Sequence, residues 1–299
     1  MSAVALRYPI EGVVSWNMNT TCNYRCSYCT QRFVDDRKQW ARDLPRFVEA
    51  LLALPGDWEI KLSGGEPFRH PDFLDAVTAL AAGGRRVSVV TNLSADRATL
   101  AAFARATAQR PGLLSASLHL EHVEVEDFLD KLTGFRQVHA GRLNATCVAT
   151  REVLPRIPAL QARFAAEGLN LKVQPQKEDR DVIAYSPAER DLLVRAGGHN
   201  GTGHIAPDLS GRPCWAGARY FIVDHRGEAW RCYPARRYRE EHLGNLLDGS
   251  LRLALEPVRC AYGYCNCTVP QQRGMVDTNA APSAGAQGSG RTSPCSQVR

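Results

Sequence analysis

The chain has 299 residues, 44% of them hydrophobic, and a formal net charge of +6. That length suits one large domain plus a small one, and no apolar run is long enough for a membrane span or shaped like a signal peptide. The ten cysteines then fit metal ligands kept reduced in a cytoplasmic protein better than a secreted disulfide framework. The scattered arginines do not indicate nucleic acid.

In chain order, a first apolar strand is predicted over 12–18. It leads into a loop with Cys22, Cys26 and Cys29 in the spacing C-x-x-x-C-x-x-C. Three soft thiolates on one short loop can ligate three irons of a [4Fe–4S] cubane and leave the fourth iron open to a small molecule. Structural zinc prefers four ligands in paired C-x-x-C knuckles, and the next cysteine, Cys147, is remote in sequence. Further short runs rich in Val, Leu and Ile predict strands over 58–63, 86–92, 113–120, 142–150 and 169–176. Helical patterns fall between them, over 44–54, 71–82, 96–108, 123–133, 154–167 and 187–196. Pro45 and Pro71 are expected in first turns, and Gly83-Gly84 at a helix end. Six strand–helix units in a row imply a right-handed parallel sheet, an α/β fold.

Active-site residues of such sheets gather where strand ends meet their loops. The second strand ends in Ser63-Gly64-Gly65-Glu66-Pro67, the third in Asn92, the fourth in Ser117-Leu118-His119. Taken alone, the glycine run reads as a turn before a helix, and Asn92 as a cap or turn residue. Charged residues cluster after the later strands: His119, Glu121 and His122; Arg151 and Glu152; Lys177, Glu178, Asp179 and Arg180. Cys147 reads as a small buried hydrophobe. The last third of the chain holds Cys214, Cys232, Cys260, Cys265 and Cys267, with two strands expected around Asp224-x-x-Gly227. The terminal stretch, 279–299 with Cys295, has the composition of a flexible tail.

The cysteine triad together with Ser63-Gly64-Gly65-Glu66-Pro67 resembles the radical S-adenosylmethionine (radical SAM) superfamily. The resemblance implies a partial (β/α)6 barrel and a [4Fe–4S] cluster on Cys22, Cys26 and Cys29. The open iron of that cluster chelates S-adenosylmethionine, which is cleaved to a 5′-deoxyadenosyl radical. It also implies cofactor contacts at Tyr28, Ser63, Gly64, Gly65, Glu66, Asn92 and Ser117, and an external one-electron reductant such as flavodoxin or ferredoxin. His119 stands where an Asp is more usual, so it is a candidate for substrate binding or proton movement.

The C-terminal cysteines look like a SPASM or twitch extension, with an auxiliary [4Fe–4S] cluster on four of Cys214, Cys232, Cys260, Cys265 and Cys267. Their spacing departs from the usual one, a four-cysteine zinc site stays open, and a spare cysteine such as Cys267 could donate a hydrogen atom. The expected organisation is a barrel over 1–205, a small cysteine-rich twitch-like unit over 206–270 and a tail over 271–299. The expected activity is an oxidation or radical bond formation on a polar small metabolite of a specialised pathway. A peptide-modifying maturase or epimerase is the alternative, and an iron–sulfur electron carrier or redox sensor is the reading from another class.

Overall fold

A computed structural model describes residues 12–31, 33–178 and 181–277. Asp179, Arg180, Cys295 and the stretch 279–299 lie outside the described residues. Six parallel strands pair in chain order: β1 (Gly12–Asn19), β2 (Trp58–Gly64), β3 (Arg86–Thr91), β4 (Pro111–Leu118), β5 (Arg142–Ala149) and β6 (Leu171–Pro175). Each lies within two residues of its expected bounds, because strands buried on both faces are written as short apolar runs. The helices between them are α1 (Arg37–Ala53), α2 (Phe73–Ala82), α3 (Arg97–Ala106), α4 (Val125–Arg136) and α5 (Ile157–Ala166); α6 (Pro187–Arg195) follows β6. α2 shows why they pack: Phe73, Ala76, Val77 and Leu80 recur at helical spacing and are buried. It stops where Gly83 caps it and Gly84 takes φ +80°.

Two expected details change. α1 begins seven residues earlier than the pattern suggests, so Pro45 sits inside the helix rather than in its first turn. Burial of Leu44, Phe47, Leu51 and Leu54 against the sheet outweighs the lost backbone bond. Pro71 precedes the cap residue Asp72 and lies outside α2.

Past the barrel come a small hairpin, β7 (Lys177–Glu178) with β8 (Asp181–Val182), and then β9 (Pro213–Cys214). The two strands expected around Asp224-x-x-Gly227 are β10 (Tyr220–Val223) and β11 (Glu228–Trp230), antiparallel across a turn in which Gly227 has φ +90°. They are followed by α7 (Tyr233–Tyr238), β12 (His242–Asn245), β13 (Val258–Arg259) and α8 (Val269–Gln272). β10 lies parallel beside β1, and β11 and β12 add outside it, so the sheet has nine strands in the order β12-β11-β10-β1-β2-β3-β4-β5-β6. The cysteine-rich segment is thus joined to the barrel by the sheet itself.

A main core fills the space between helices and sheet, and a second core packs Val13, Tyr220 and Ile222 against Cys214, Cys232, Cys265, Tyr262, Met275 and Val276. Residues 271–277, expected in the tail, are instead part of the folded chain. Met275 and Val276 are buried, Val276 bridges to Cys214, and Arg273 pairs with Glu59 at 2.5 Å. This apolar pair and ion pair were hidden in a stretch of mixed composition. Among the described residues, no helix is long and apolar enough to cross a membrane.

Candidate active site

β1 hands the chain to the cysteine loop, and the loop is tied down at both ends. The Asp36 carboxylate, just before α1, accepts the Thr20 N–H at 2.7 Å and the Thr21 hydroxyl at 2.8 Å. Further along, the Glu121 carboxylate accepts the Ser27 N–H at 2.9 Å and its hydroxyl at 2.5 Å. The His122 ring stacks on Tyr24 with centroids 4.4 Å apart. Within the loop, the Cys29 N–H donates to the Cys26 carbonyl at 3.1 Å, a tight turn that brings two of the three cysteines together.

The Gly64-Gly65 pair permits a close approach of two loops. A Cβ on Gly64 would lie 2.2 Å from the Asn19 carbonyl oxygen, and one on Gly65 would lie 2.1 Å from that of Thr21. The Gly65 N–H instead donates to Asn19 at 2.8 Å, and the Glu66 N–H donates to Thr21 at 2.9 Å. The expectation that these glycines open backbone toward a ligand therefore needs an addition: their missing side chains first of all seat the end of β2 against the cysteine loop.

The ends of β2 to β6 and this loop enclose one cavity of about 410 Å³. Cys22, Cys26, Cys29 and Tyr28 border it from the loop, Ser63, Gly64 and Gly65 from β2, Asn92 after β3, and Ser117 and His119 at the end of β4. Ser63 donates to the Asn17 side-chain oxygen at 2.8 Å, and Ser117 lies 3.3 Å from the Thr146 hydroxyl. The Asn92 amide donates to the Asn23 side chain at 3.0 Å.

Glu66 is the exception among the expected contacts. It is buried away from the cavity wall, and its carboxylate accepts the Asn92 N–H at 2.7 Å, the Thr91 hydroxyl at 2.8 Å and the Phe68 N–H at 3.2 Å. Burial pushes its pKa up to about 7, against the lowering effect of those bonds. Glu66 thus ties the end of β2 to the end of β3, and its place behind the wall corrects the expectation that it offers its acceptor directly to a ligand.

Electrostatics in the cavity follow from burial. Desolvation raises the thiol pKa values of Cys22 and Cys26, the latter to about 11, and raises that of the Tyr28 hydroxyl. His119 is pushed down to about 4 by burial and by His122. The neutral imidazole places Nδ1 2.8 Å from the Tyr28 hydroxyl and 3.4 Å from the Cys26 sulfur. Thiols held protonated in this way are released as thiolates when a metal binds. Three half-exposed or exposed thiols at the mouth of a polar cavity therefore match an iron–sulfur group with one side open to a ligand. Among the described residues, the metal-capable side chains whose ligand atoms all lie within 4.8 Å of one another are Cys26, Glu121 and His122.

The five C-terminal cysteines are gathered elsewhere, in the second core and at its edge. Cys214, Cys232 and Cys265 are buried, while Cys260 and Cys267 are half-buried. Cys267 is the more acidic member of a pair with Cys265, whose thiol donates to it; the Tyr220 hydroxyl, 3.7 Å away, and Lys61 add to the effect. Burial raises the pKa values of Cys214 and Cys232. Cys147 is a core residue of β5, as expected.

Two long-range contacts of the site were not legible in the sequence. Tyr233 donates to Asn17 at 2.8 Å, the same oxygen that receives Ser63, and so links the neighbour of Cys232 to the cavity wall. Lys177 borders the cavity and donates to the Asn266 carbonyl, between Cys265 and Cys267, at 2.7 Å. Both span long sequence separations that no local motif announces.

Residues 16–152 match the radical SAM superfamily. The chain is 30% identical over 153 residues to a GTP 3′,8-cyclase of Synechococcus elongatus, a match that covers 48% of this chain and 43% of the cyclase. The fold is shared with Streptococcus suis SuiB bound to its precursor peptide SuiA, at TM-score 0.54, 15% identity and coverage of 82% of this chain and 66% of SuiB. It is also shared with anSMEcpe bound to AdoMet and the Cp18Cys peptide, at TM-score 0.52, 14% identity and coverage of 80% and 78%. The chain thus spans less than half of the cyclase and about two-thirds of SuiB. Residues 16–152 of this chain are thus a radical SAM domain.

Proposed function

We propose that this protein is a radical SAM enzyme that acts on a polar small molecule and ends in a net oxidation or a new bond. The family implies a [4Fe–4S] cluster and S-adenosylmethionine. When bound, that pair supplies the 5′-deoxyadenosyl radical that removes a substrate hydrogen atom. The observation that carries the reading is convergence: Cys22, Cys26 and Cys29 meet Ser63, Asn92 and Ser117, from three different strand ends, around one cavity.

The chain's own residues would then divide the work. Cys22, Cys26 and Cys29 would hold the cluster, and the closed Cys26–Cys29 turn with its Glu121 tether would hold the loop in shape. The Asn92 amide, Ser117 and the Gly64-Gly65 backbone would orient the cofactor's polar groups. His119, neutral at physiological pH, would accept or donate a hydrogen bond at Nδ1 without bringing charge beside the thiolates.

Four of Cys214, Cys232, Cys260, Cys265 and Cys267 would supply the ligands of an auxiliary [4Fe–4S] cluster, an outlet for the substrate electron in an oxidation. Tetrahedral zinc would draw its sulfurs to about 3.8 Å of one another, from Zn–S bonds near 2.3 Å. The five thiols share one core, and a four-cysteine zinc site is the alternative that a metal count distinguishes. A second reading, a peptide maturase, is favoured by the fold shared with SuiB and anSMEcpe, whose crystal structures hold peptides.

Anaerobic reconstitution with iron and sulfide, followed by dithionite and S-adenosylmethionine, tests the class. The wild type is expected to form 5′-deoxyadenosine and Cys26→Ala to form none. An electron carrier would form none in either. A short precursor-peptide gene beside this one would turn the substrate reading to the maturase.

A further inference from the structure

At the end of the barrel where β2 to β6 begin, a second cavity of about 1120 Å³ opens. Strand alternation puts one set of inward residues along both cavities. On β2, Ser63 borders the upper cavity while Lys61 and Glu59 border the lower. On β6, Gln174 borders the upper and Lys172 the lower. Inward residues two apart on a strand are separated by about 7 Å, so the two cavities are stacked along the same barrel lumen.

The lower cavity is cationic. Lys61, Arg86, Arg142, Lys172 and Arg273 face it, against Glu59 and Asp277. Glu59 is already engaged by Arg273 at 2.5 Å and by the Ser88 hydroxyl at 2.7 Å. The Lys61 side chain is closed in by protein except toward the cavity, and among the described residues no hydrogen bond or ion pair reaches its ammonium. Burial and nearby Arg273 push its pKa down. The Lys172 ammonium lies 3.2 Å from the Asn144 side-chain amide, a neutral partner.

An enclosed cation whose ammonium makes no hydrogen bond costs stability even with Glu59 nearby, because that carboxylate is already held by Arg273 and Ser88, and an apolar residue of similar size would pack the lumen better. Its presence beside a second lysine in a roomy polar cavity is therefore better explained by a ligand than by the fold.

We propose that the lower cavity is the subsite for an oxyanion of the substrate, a phosphate or carboxylate held by Lys61 and Lys172. The rest of that substrate extends up the lumen toward Ser63 and the cysteine loop. This rests on the radical SAM reading for the chemistry done on the substrate, but not for its binding. Electrostatic attraction anchors the charged end and leaves the rest of the substrate directed up the lumen toward the cysteine loop.

The test is calorimetric titration of the reconstituted full-length protein with inorganic pyrophosphate and, separately, with citrate. Wild type is expected to bind at least one; pyrophosphate alone assigns a phosphate and citrate alone a carboxylate. Lys61→Met should weaken that binding about tenfold or more, the scale of a lost charge-assisted hydrogen bond. Lys172→Met should weaken it by a smaller factor, and Lys61→Met should melt no lower than wild type. Binding of neither probe at millimolar concentration, or equal affinity in wild type and both variants, overturns the proposal. If Lys61→Met does not fold, Lys172→Met decides: unchanged affinity there overturns it. The titration needs no S-adenosylmethionine, so its failure counts against the subsite alone, and absence of 5′-deoxyadenosine from wild type counts against the radical reading alone.

Discussion

The chain holds two groups of cysteines in opposite environments. Cys22, Cys26 and Cys29 sit half-exposed or exposed on a loop held by side-chain tethers and one backbone turn, and they face a polar cavity. Cys214, Cys232 and Cys265 are buried in an apolar core, with Cys260 and Cys267 packed against it beside Tyr220 and Tyr262. The first group lies close together in sequence and, in the proposed cubane, would supply three thiols for four irons and leave a face open. The second is assembled from distant segments, has more thiols than one cubane would need, and is mostly buried. An open face suits cofactor cleavage; a closed, desolvated cluster suits electron acceptance, because burial and hydrogen bonds to sulfur tune its potential.

Substitutions in the two groups should therefore fail in different ways. The largest effect is expected at Cys26. Cys26→Ala should drop 5′-deoxyadenosine formation to background, while stability by chemical denaturation falls by about 1 kcal/mol or less, as for a half-exposed position. A variant that keeps activity, or one that unfolds, would break the contrast.

Cys232→Ser should do the reverse. Iron should fall from about eight to about four per chain, the content of one cubane in place of two. Stability should drop by about 1–3 kcal/mol from a buried polar replacement. S-adenosylmethionine cleavage without substrate should persist. Iron near four per chain in wild type, with stoichiometric zinc, would contradict the second cluster.

Glu66 gives an effect of similar size that depends on pH. Its folded-state pKa, near 7, lies above the unfolded value of about 4.3. The folded chain binds the proton more tightly, so this contribution is complete below about pH 4.3 and is lost as pH rises through 7. Wild type should therefore lose up to about 4 kcal/mol relative to Glu66→Gln across that window, as shown by urea titrations at stepped pH. Parallel pH profiles would show that burial does not govern this carboxyl.

The smallest effect is expected at the Glu121 tether. Glu121→Ala should cost about 1 kcal/mol or less, since both partners are exposed. It should also slow cluster reconstitution by freeing Ser27 between Cys26 and Tyr28.

What could be read in the chain and what could not divides along the same line. The six parallel strands were legible because strands buried on both faces appear as compact apolar runs, and the triad because its ligands are sequence neighbours. The ends of β2, β3 and β4 were placed well enough that Ser63, Asn92 and Ser117 meet at one cavity. Hidden from local pattern were the pairings across long separations. Glu121 reaches back 94 residues to Ser27, and Tyr233 reaches 216 residues to Asn17. The start of α1 depends on Asp36 binding Thr20, which moves Pro45 into the helix interior. The use of residues 271–277 in packing depends on Glu59, the partner of Arg273. Gly64 and Gly65 were recognised by type, but the Asn19 and Thr21 carbonyls that require them belong to another strand's loop.

The most direct measurement is low-temperature EPR of the dithionite-reduced, reconstituted protein with and without S-adenosylmethionine, on wild type and Cys232→Ser. Two [4Fe–4S] signals are expected in wild type, of which one shifts with S-adenosylmethionine and the other does not. Only the shifting signal should remain in Cys232→Ser. A wild-type spectrum in which neither signal responds to S-adenosylmethionine, or in which the responding signal disappears with Cys232, would contradict the assignment of an open cluster to the loop and a closed one to the core.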